Sequence, residues 1–326
     1  MLGAANIGNW AMVQPARATM GVALYAIAAR DHERAKKYAE KYQIPKVHTS
    51  YDALINDPDI DAIYNPLPNS LHCEWTINAL AAGKHVLCEK PLCSNAEQAQ
   101  QMQNAANRYQ RVLMEAFHYR YHPMAKKMQD AMAQLGEIKS IETNMCVPLP
   151  SAKDIRYRYD LAGGATMDVG AYTANLLRFL GQSSLDEALH REPKVISAVP
   201  ILRGPNIDRA MKAVVQWDNG VKGYIHNSLL SATLIKLSAH VVGENGVMHV
   251  INPYLPHFWN RFALTLNGQK HQELVVGKPT YFYQLAEFAR RIRAGAPYIS
   301  DLSDSISNMA MIDAIYVAAG LPKRGM

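Results

Sequence analysis

Two short stretches carry residue types that could do chemistry together. The first, Gly83-Lys84-His85-Val86-Leu87-Cys88-Glu89-Lys90-Pro91, is an apolar run that ends in a carboxylate, an ammonium and a proline. It reads as a buried strand with Lys90 at its carboxyl end. The second, Gly163-Gly164-Ala165-Thr166-Met167-Asp168-Val169-Gly170-Ala171-Tyr172, reads as a glycine-loosened turn entering a helix. On that helix Asp168 and Tyr172 stand one turn apart, on one face. Oxidising a carbinol sends a hydride to an acceptor and a proton to a base. A free phenol titrates at about 10, and a neighbouring ammonium favours its phenolate form, so a lysine and a tyrosine can tune each other. The expectation is that Tyr172 transfers the proton while Lys90 binds and polarises the oxygen. The reverse assignment stays open. Asp168 would orient Lys90 or hold a substrate hydroxyl. The plainer readings are an acidic helix start for Asp168, a surface lysine for Lys90 and a core aromatic for Tyr172.

These side chains need a scaffold. The opening Gly3-Ala4-Ala5-Asn6-Ile7-Gly8 reads as a glycine loop before a helix reaching about Ala18. Such a loop lets backbone N–H groups meet a pyrophosphate at a helix N-terminus. Strand-like runs at Val22–Ala28, Ala62–Asn65, His85–Cys88 and Arg111–Ala116 alternate with helical patterns at His32–Tyr42, Asp52–Asn56, Ser70–Ala82 and Asn95–Tyr109. That alternation predicts a Rossmann-type, doubly wound parallel sheet over residues 1–118. Its first strand would be truncated, because only Met1 and Leu2 stand ahead of Gly3. Supplying more apolar residues there is expected to raise both stability and cofactor affinity.

The pattern changes after a helix at Pro123–Leu135. Ile138–Val147, Val195–Leu202, Lys212–Trp217, Lys222–Ser228, Lys236–Gly243, Gly246–Ile251 and Phe262–Leu266 read as strands. Asp218-Asn219-Gly220 and Glu244-Asn245-Gly246 are hairpin turn signals. Residues 119–326 are therefore expected to form an α+β domain with a large, mostly antiparallel open sheet. Two helices close it, Gln284–Ala294 and Asp304–Ala319.

At the end of the second strand the cofactor choice is normally made. Here Ala28-Ala29-Arg30-Asp31 places a guanidinium where a 2′-phosphate would sit, with Arg34 one helical turn on. This favours NADP, with NAD as the second option, since Asp31 could turn to the ribose rather than cap the helix.

Composition narrows the classes further. The chain has 326 residues, enough for about two domains of roughly 100–200 residues each. Hydrophobic residues make up 49% and charged residues 19%, which argues for packed cores rather than disorder. A net charge of +6 without a long basic run favours small anions and gives no support to nucleic-acid binding. Four cysteines without a CxxC pair, and His118 and His122 without a carboxylate cluster beside them, suggest no metal. Reduced thiols point to a cytoplasmic protein, and no stretch is apolar enough for a membrane span.

With these residues in view, the chain resembles the Gfo/Idh/MocA family (glucose–fructose oxidoreductase, inositol dehydrogenase and rhizopine catabolism). The resemblance rests on the Gly3–Gly8 loop, Pro66-Leu67-Pro68-Asn69-Ser70-Leu71-His72, Glu89-Lys90-Pro91 and Gly163–Tyr172. Met114-Glu115-Ala116-Phe117-His118-Tyr119-Arg120-Tyr121-His122-Pro123 brings it nearest the dihydrodiol and xylose dehydrogenase branch. The resemblance implies a nicotinamide cofactor held by Gly3, Ala5, Asn6, Ile7, Gly8, Arg30, Pro68, Asn69, His72, Glu89 and Lys90, with Asn69 and His72 near the nicotinamide ribose. It implies catalysis by Lys90 and Tyr172. His118, Arg156 and Arg158 would then meet a polyhydroxy substrate. Many relatives carry histidine at the Tyr172 position and aspartate at the Asn175 position, so the substrate expected is an aldose, polyol or cyclic diol rather than an inositol. Family members often dimerise through the open sheet, which implies a homodimer or a higher homo-oligomer. The competing reading is a non-catalytic NADP-binding regulator on the same fold. A defunct truncated copy is a third.

Overall fold

A computed structural model describes residues 1–294 and 302–325. The chain divides into two compact units, one of Met1–His118 with Tyr281–Ile306, the other of Tyr119–Thr280 with Ser307–Met326. The segment Tyr281–Ile306, assigned on sequence to the second domain, thus clusters with the first.

The first unit starts with Met1-Leu2-Gly3. A π-helical turn, Asn9–Val13, then runs into helix α1 (Gln14–Ala18), followed by β1 (Ala26–Ala28), α2 (His32–Tyr42), β2 (Lys46–His48) and α3 (Tyr51–Ile55). Next come β3 (Ala62–Asn65), α4 (Asn69–Ala81), β4 (His85–Cys88), α5 (Ala96–Tyr109) and β5 (Leu113–Glu115). Local chemistry explains the helix starts. The Asp31 side chain accepts from Arg34 N at 3.0 Å and the Asn95 side chain accepts from Gln98 N at 3.0 Å, caps worth about 1 kcal/mol each. β1 pairs parallel with β2, and β3, β4 and β5 pair parallel with one another. Leu2 joins the two pieces. It bridges Ala28 in parallel, its N–H donates to Tyr64 O at 3.0 Å, and its side chain is fully buried. The expected first strand is therefore reduced to a single bridge at the centre of a doubly wound order. Gly3 then leaves the sheet at φ +75°, a left-handed turn that suits a residue without Cβ.

The second unit contains α6 (Pro123–Met132), β6 (Ile138–Cys146), α7 (Ala171–Gln182), β7 (Lys194–Gly204), β8 (Ile207–Gln216), β9 (Lys222–Ser228), β10 (Lys236–Gly243), β11 (Gly246–Ile251), β12 (Arg261–Leu266) and β13 (Gln269–Glu273). The eight strands form one sheet in the order β13-β12-β11-β10-β6-β9-β8-β7, in which only the β6–β9 pair is parallel. β9 shows the alternation of a half-covered sheet: Gly223, Ile225 and Asn227 are buried, whereas Lys222, Tyr224 and His226 are not. Helix α7 covers the inner face, with Thr143 Oγ1 donating to Thr173 O at 3.0 Å. Every residue of α7 from Ala171 to Gly181 is buried, as expected of a helix surrounded by protein. Helix α8 (Thr280–Ala294) leads back to the first unit, and α9 (Leu302–Ala318) lies mostly in the second.

β13 was not foreseen on sequence. Its five residues are polar and largely exposed, so hydrophobic alternation cannot reveal them. The turn before it, Asn267-Gly268, has φ of 48° and 81°, a hairpin turn that forces the chain back on β12. None of the helices in the described residues is long and apolar enough to cross a membrane.

Candidate active site

The sequence-selected residues fall in both units, and each set is placed by its own unit. In the first, the loop after Gly3 offers a cradle suited to a dinucleotide pyrophosphate. Asn6 and Ile7 are exposed, Gly8 N donates to Ala5 O at 3.0 Å, and the π-turn begins immediately afterwards. Arg34 reaches from α2 to donate to Ala4 O at 2.8 Å, so a guanidinium braces the loop from below. Arg30 at the end of β1 is exposed. Burial pushes the Tyr51 phenol up, while the Arg30 backbone and the Arg30 and Arg34 guanidiniums oppose that shift. Positive charge is thus gathered at this strand end, and the Asp31 carboxylate is committed to its helix cap.

The Lys90 turn is built from buried polar groups. Tyr64 donates its hydroxyl to Glu89 Oε1 at 2.7 Å, and Lys90 N donates to Glu89 Oε2 at 3.3 Å. Leu92 N donates to Glu115 Oε1 at 2.8 Å. Glu89, placed on sequence among the cofactor contacts, has both oxygens engaged in forming this turn. His72 also takes a different role from the one expected. It is buried, with Nδ1 2.9 Å from Pro91 O and Nε2 2.7 Å from Leu67 O. Burial lowers its proton affinity and the two carbonyls oppose that change. A ring held between two backbone carbonyls fixes the Lys90–Pro91 turn rather than meeting a ribose. Asn65, overlooked on sequence, does similar work: its amide donates to His72 O and Thr76 Oγ1 at 3.3 and 3.1 Å, and its oxygen accepts from Leu67 N at 3.4 Å. These bonds set the entry to α4, where Pro68 takes the N-cap position and Asn69 is the first helical residue. His118, expected at the substrate, is buried against the Tyr281 ring with centroids 4.2 Å apart.

In the second unit the residues 166–170 form a π-turn ahead of α7, not the regular α-helix expected, so Asp168 and Tyr172 do not have ordinary helical spacing. Asp168 Oδ2 accepts from Arg156 Nε at 2.8 Å, and Arg156 Nη1 lies 3.2 Å from Asp154 Oδ1. The Asp168 carboxylate raises the Arg156 pKa well above its ordinary value, locking the guanidinium as a cation. Arg158, expected beside it at the substrate, is exposed and pairs with Asp160 two residues along. Tyr172 is buried to 6% exposure at the start of α7. Its ring sits 6.2 Å from that of Tyr119 and 5.7 Å from that of Tyr254, the latter edge-on. Such aromatic pairs contribute about 0.5–1.5 kcal/mol beyond burial and hold ring orientation. Asn175, one turn further on, accepts from Tyr119 Oη at 2.6 Å and Arg120 Nη1 at 3.3 Å. An amide at this position therefore ties Tyr119 in place. Tyr254 was not singled out on sequence, because an isolated tyrosine between strands carries no motif.

No group of three or more metal-ligating side chains occurs among the described residues. The four cysteines are buried and unpaired. Burial pushes Cys73 and Cys146 up to about 11, and Cys88 and Cys93 well above their ordinary value, so none is poised as a nucleophile.

Residues 1–117 match the oxidoreductase family with an NAD-binding Rossmann fold, and residues 125–249 match the Gfo/Idh/MocA C-terminal domain. The chain is 33% identical over 325 residues to D-xylose 1-dehydrogenase (NADP(+)) 2 of Haloferax volcanii, covering 98% of this chain and 96% of that protein. It is 30% identical over 252 residues to trans-1,2-dihydrobenzene-1,2-diol dehydrogenase of Xenopus tropicalis, covering 76% and 71%. Among solved structures, a 3-ketoreductase from Actinomadura kijaniata in complex with NADP and TDP-benzene superposes with a TM-score of 0.87 at 26% identity, covering 97% and 96%. The parallel nucleotide-binding sheet, the open antiparallel sheet and these likenesses place the chain in the Gfo/Idh/MocA family of NAD(P)-dependent oxidoreductases.

Proposed function

We propose that the chain is an NADP-preferring dehydrogenase or reductase acting on a CH–OH group of a sugar, polyol or cyclic diol. The observation that carries this reading is Tyr172, a phenol fixed by Tyr119 and Tyr254 at the head of a buried helix. When bound, the nicotinamide cofactor supplies the hydride acceptor or donor. The Gly3–Gly8 loop, Arg30 and the α4 entry at Pro68 and Asn69 would hold it. Tyr172 transfers the hydroxyl proton, and Lys90 binds and polarises the substrate oxygen. The Arg156–Asp168 pair supplies polar groups for further hydroxyls. A non-catalytic sensor would need no such proton-transfer residues. The similarity to xylose and dihydrodiol dehydrogenases supports the substrate class. The test is a panel of aldoses, inositols and cyclic diols with NADP and NAD, read at the reduced-nicotinamide absorbance. Turnover confined to inositols, or absent throughout, would overturn the reading.

NADP preference rests on Arg30, with Asp31 spent as a cap. Replacing Arg30 by alanine should raise the KM for NADP about tenfold, the loss of a charge-assisted phosphate contact, and change that for NAD little. Steady-state kinetics with both cofactors checks this; equal effects on the two would remove the 2′-phosphate role.

A homodimer and a cytoplasmic location complete the reading. Unpaired buried cysteines support the second. Exposed Ile196, Val199, Ile201 and Leu202 on edge strand β7 give the first an apolar surface.

A further inference from the structure

We infer that Asp208 and Arg324 form a buried clamp that positions the catalytic turn, a role that rests on the reading of Tyr172 above. Asp208, near the start of β8, is fully buried and accepts four hydrogen bonds. Thr166 N and Thr166 Oγ1 donate to Oδ2 at 2.7 Å each; Tyr316 Oη and Arg324 Nη2 donate to Oδ1 at 3.0 and 3.1 Å. Arg324, also fully buried, donates its Nε to Gly163 O at 2.8 Å and lies over the Tyr316 ring, 3.9 Å from its centroid. Tyr316 comes from α9, and Arg324 from the segment after it. Elements from two distant parts of the chain, the start of β8 and the end of α9 with the segment after it, thus converge on Gly163, Gly164 and Thr166, the residues that launch the π-turn bearing Asp168 and the helix bearing Tyr172.

Gly164 shows how closely the clamp is fitted. Its φ is +132°, and a Cβ there would stand 2.2 Å from Asp208 Oδ1 and 2.6 Å from Tyr316 Oη. The two glycines that looked on sequence like a loosened turn are in fact a tightly held one. Carboxylate and guanidinium form a fully buried ion pair at 3.1 Å, so removing one takes away the counter-charge of the other. Removing both should restore stability without restoring the geometry.

The experiment compares Tyr316→Phe, Asp208→Asn and the double variant Asp208→Asn/Arg324→Met with Arg178→Met. Arg178 bonds Glu192 at 2.6 Å through both Nε and Nη2, toward the far end of α7, and has no part in the turn. Each variant is measured for Tm, NADP affinity, KM and kcat. Asp208→Asn should lower kcat about 100-fold, the scale of a misplacement near 1 Å, with NADP affinity unchanged. The double variant should regain the Tm and keep the low kcat. Tyr316→Phe should fall between it and wild type, and Arg178→Met should lower Tm while keeping kcat. If kcat follows Tm across all four variants, or survives Asp208→Asn, the clamp is overturned and Asp208 is structural only. If Asp208→Asn does not fold, the double variant and Tyr316→Phe decide the matter alone. Tyr172→Phe, run in parallel, separates the two claims. Full activity there discards the site reading and this proposal with it, whereas an inactive Tyr172→Phe beside active clamp variants discards the clamp only.

Discussion

Tyr172→Phe is expected to lower kcat by about 10³-fold, within the range that a positioned acid–base group supplies, and to leave NADP affinity nearly unchanged. That loss corresponds to about 4 kcal/mol of transition-state stabilisation. The substitution is a clean one here. Phenylalanine keeps the ring that packs at 6.2 Å from Tyr119 and 5.7 Å from Tyr254, so the cage around it is preserved and only the hydroxyl is lost. Asn175 stays bonded to Tyr119 and Arg120, and the head of α7 remains fixed by the Asp208 bonds to Thr166. The effect should therefore fall on kcat with little change in KM or Tm, since the group acts when the proton moves and not when substrate is gripped. Single-turnover absorbance at the nicotinamide band, with Tm measured beside it, checks the result. A variant that keeps most of the wild-type kcat would show that another group carries the proton.

What could be read ahead of the structure divides along physical lines. Helix α2 was legible to the residue, because Asp31 is both a cap by type and the acceptor of Arg34 N. β9 was legible because its side chains alternate with burial. Lys90 and Tyr172 stand out in the sequence because a charged residue at a strand end and a phenol after a glycine turn break the surrounding apolar pattern. The groups that hold them do not. Glu115, Asp208 and Arg324 are buried polar residues whose partners lie far away in the chain, and nothing in local spacing reports such a partner. Arg324 in particular follows Lys323 beyond the last helix, where no motif or periodicity marks it. The π-turns at Asn9–Val13 and Thr166–Gly170 were also hidden, since one extra residue in a helical turn leaves no periodic signature over so short a span. At His72 the sequence hides the local bonding, in which both ring nitrogens are taken by the carbonyls of Leu67 and Pro91.

Lys90→Met should be as damaging as Tyr172→Phe, lowering kcat by about 10³-fold, and the two losses should not add. The turn that bears Lys90 has several bonds that do not involve its ammonium. Glu89 is fastened by Tyr64, Leu92 N by Glu115, and Pro91 O by His72, all through groups that methionine leaves in place. Methionine also preserves most of the aliphatic stem, so Tm should move by no more than about 2 °C, a shift of roughly 1 kcal/mol for a chain of this size. What disappears is the positive charge that would steady the oxygen as the proton leaves, a contribution that grows where water is excluded. If Lys90 and Tyr172 serve one proton transfer, the double variant Lys90→Met/Tyr172→Phe should be scarcely slower than either single one, because the second change removes help that has already been lost. If the two losses multiply instead, each residue acts at its own step, and the shared role assigned to them fails. Arginine at position 90 offers a further discrimination. It restores the charge but spreads it over a planar fork of different reach, so Lys90→Arg should recover substrate binding before it recovers kcat, and recovery of both together would reduce Lys90 to a general electrostatic presence.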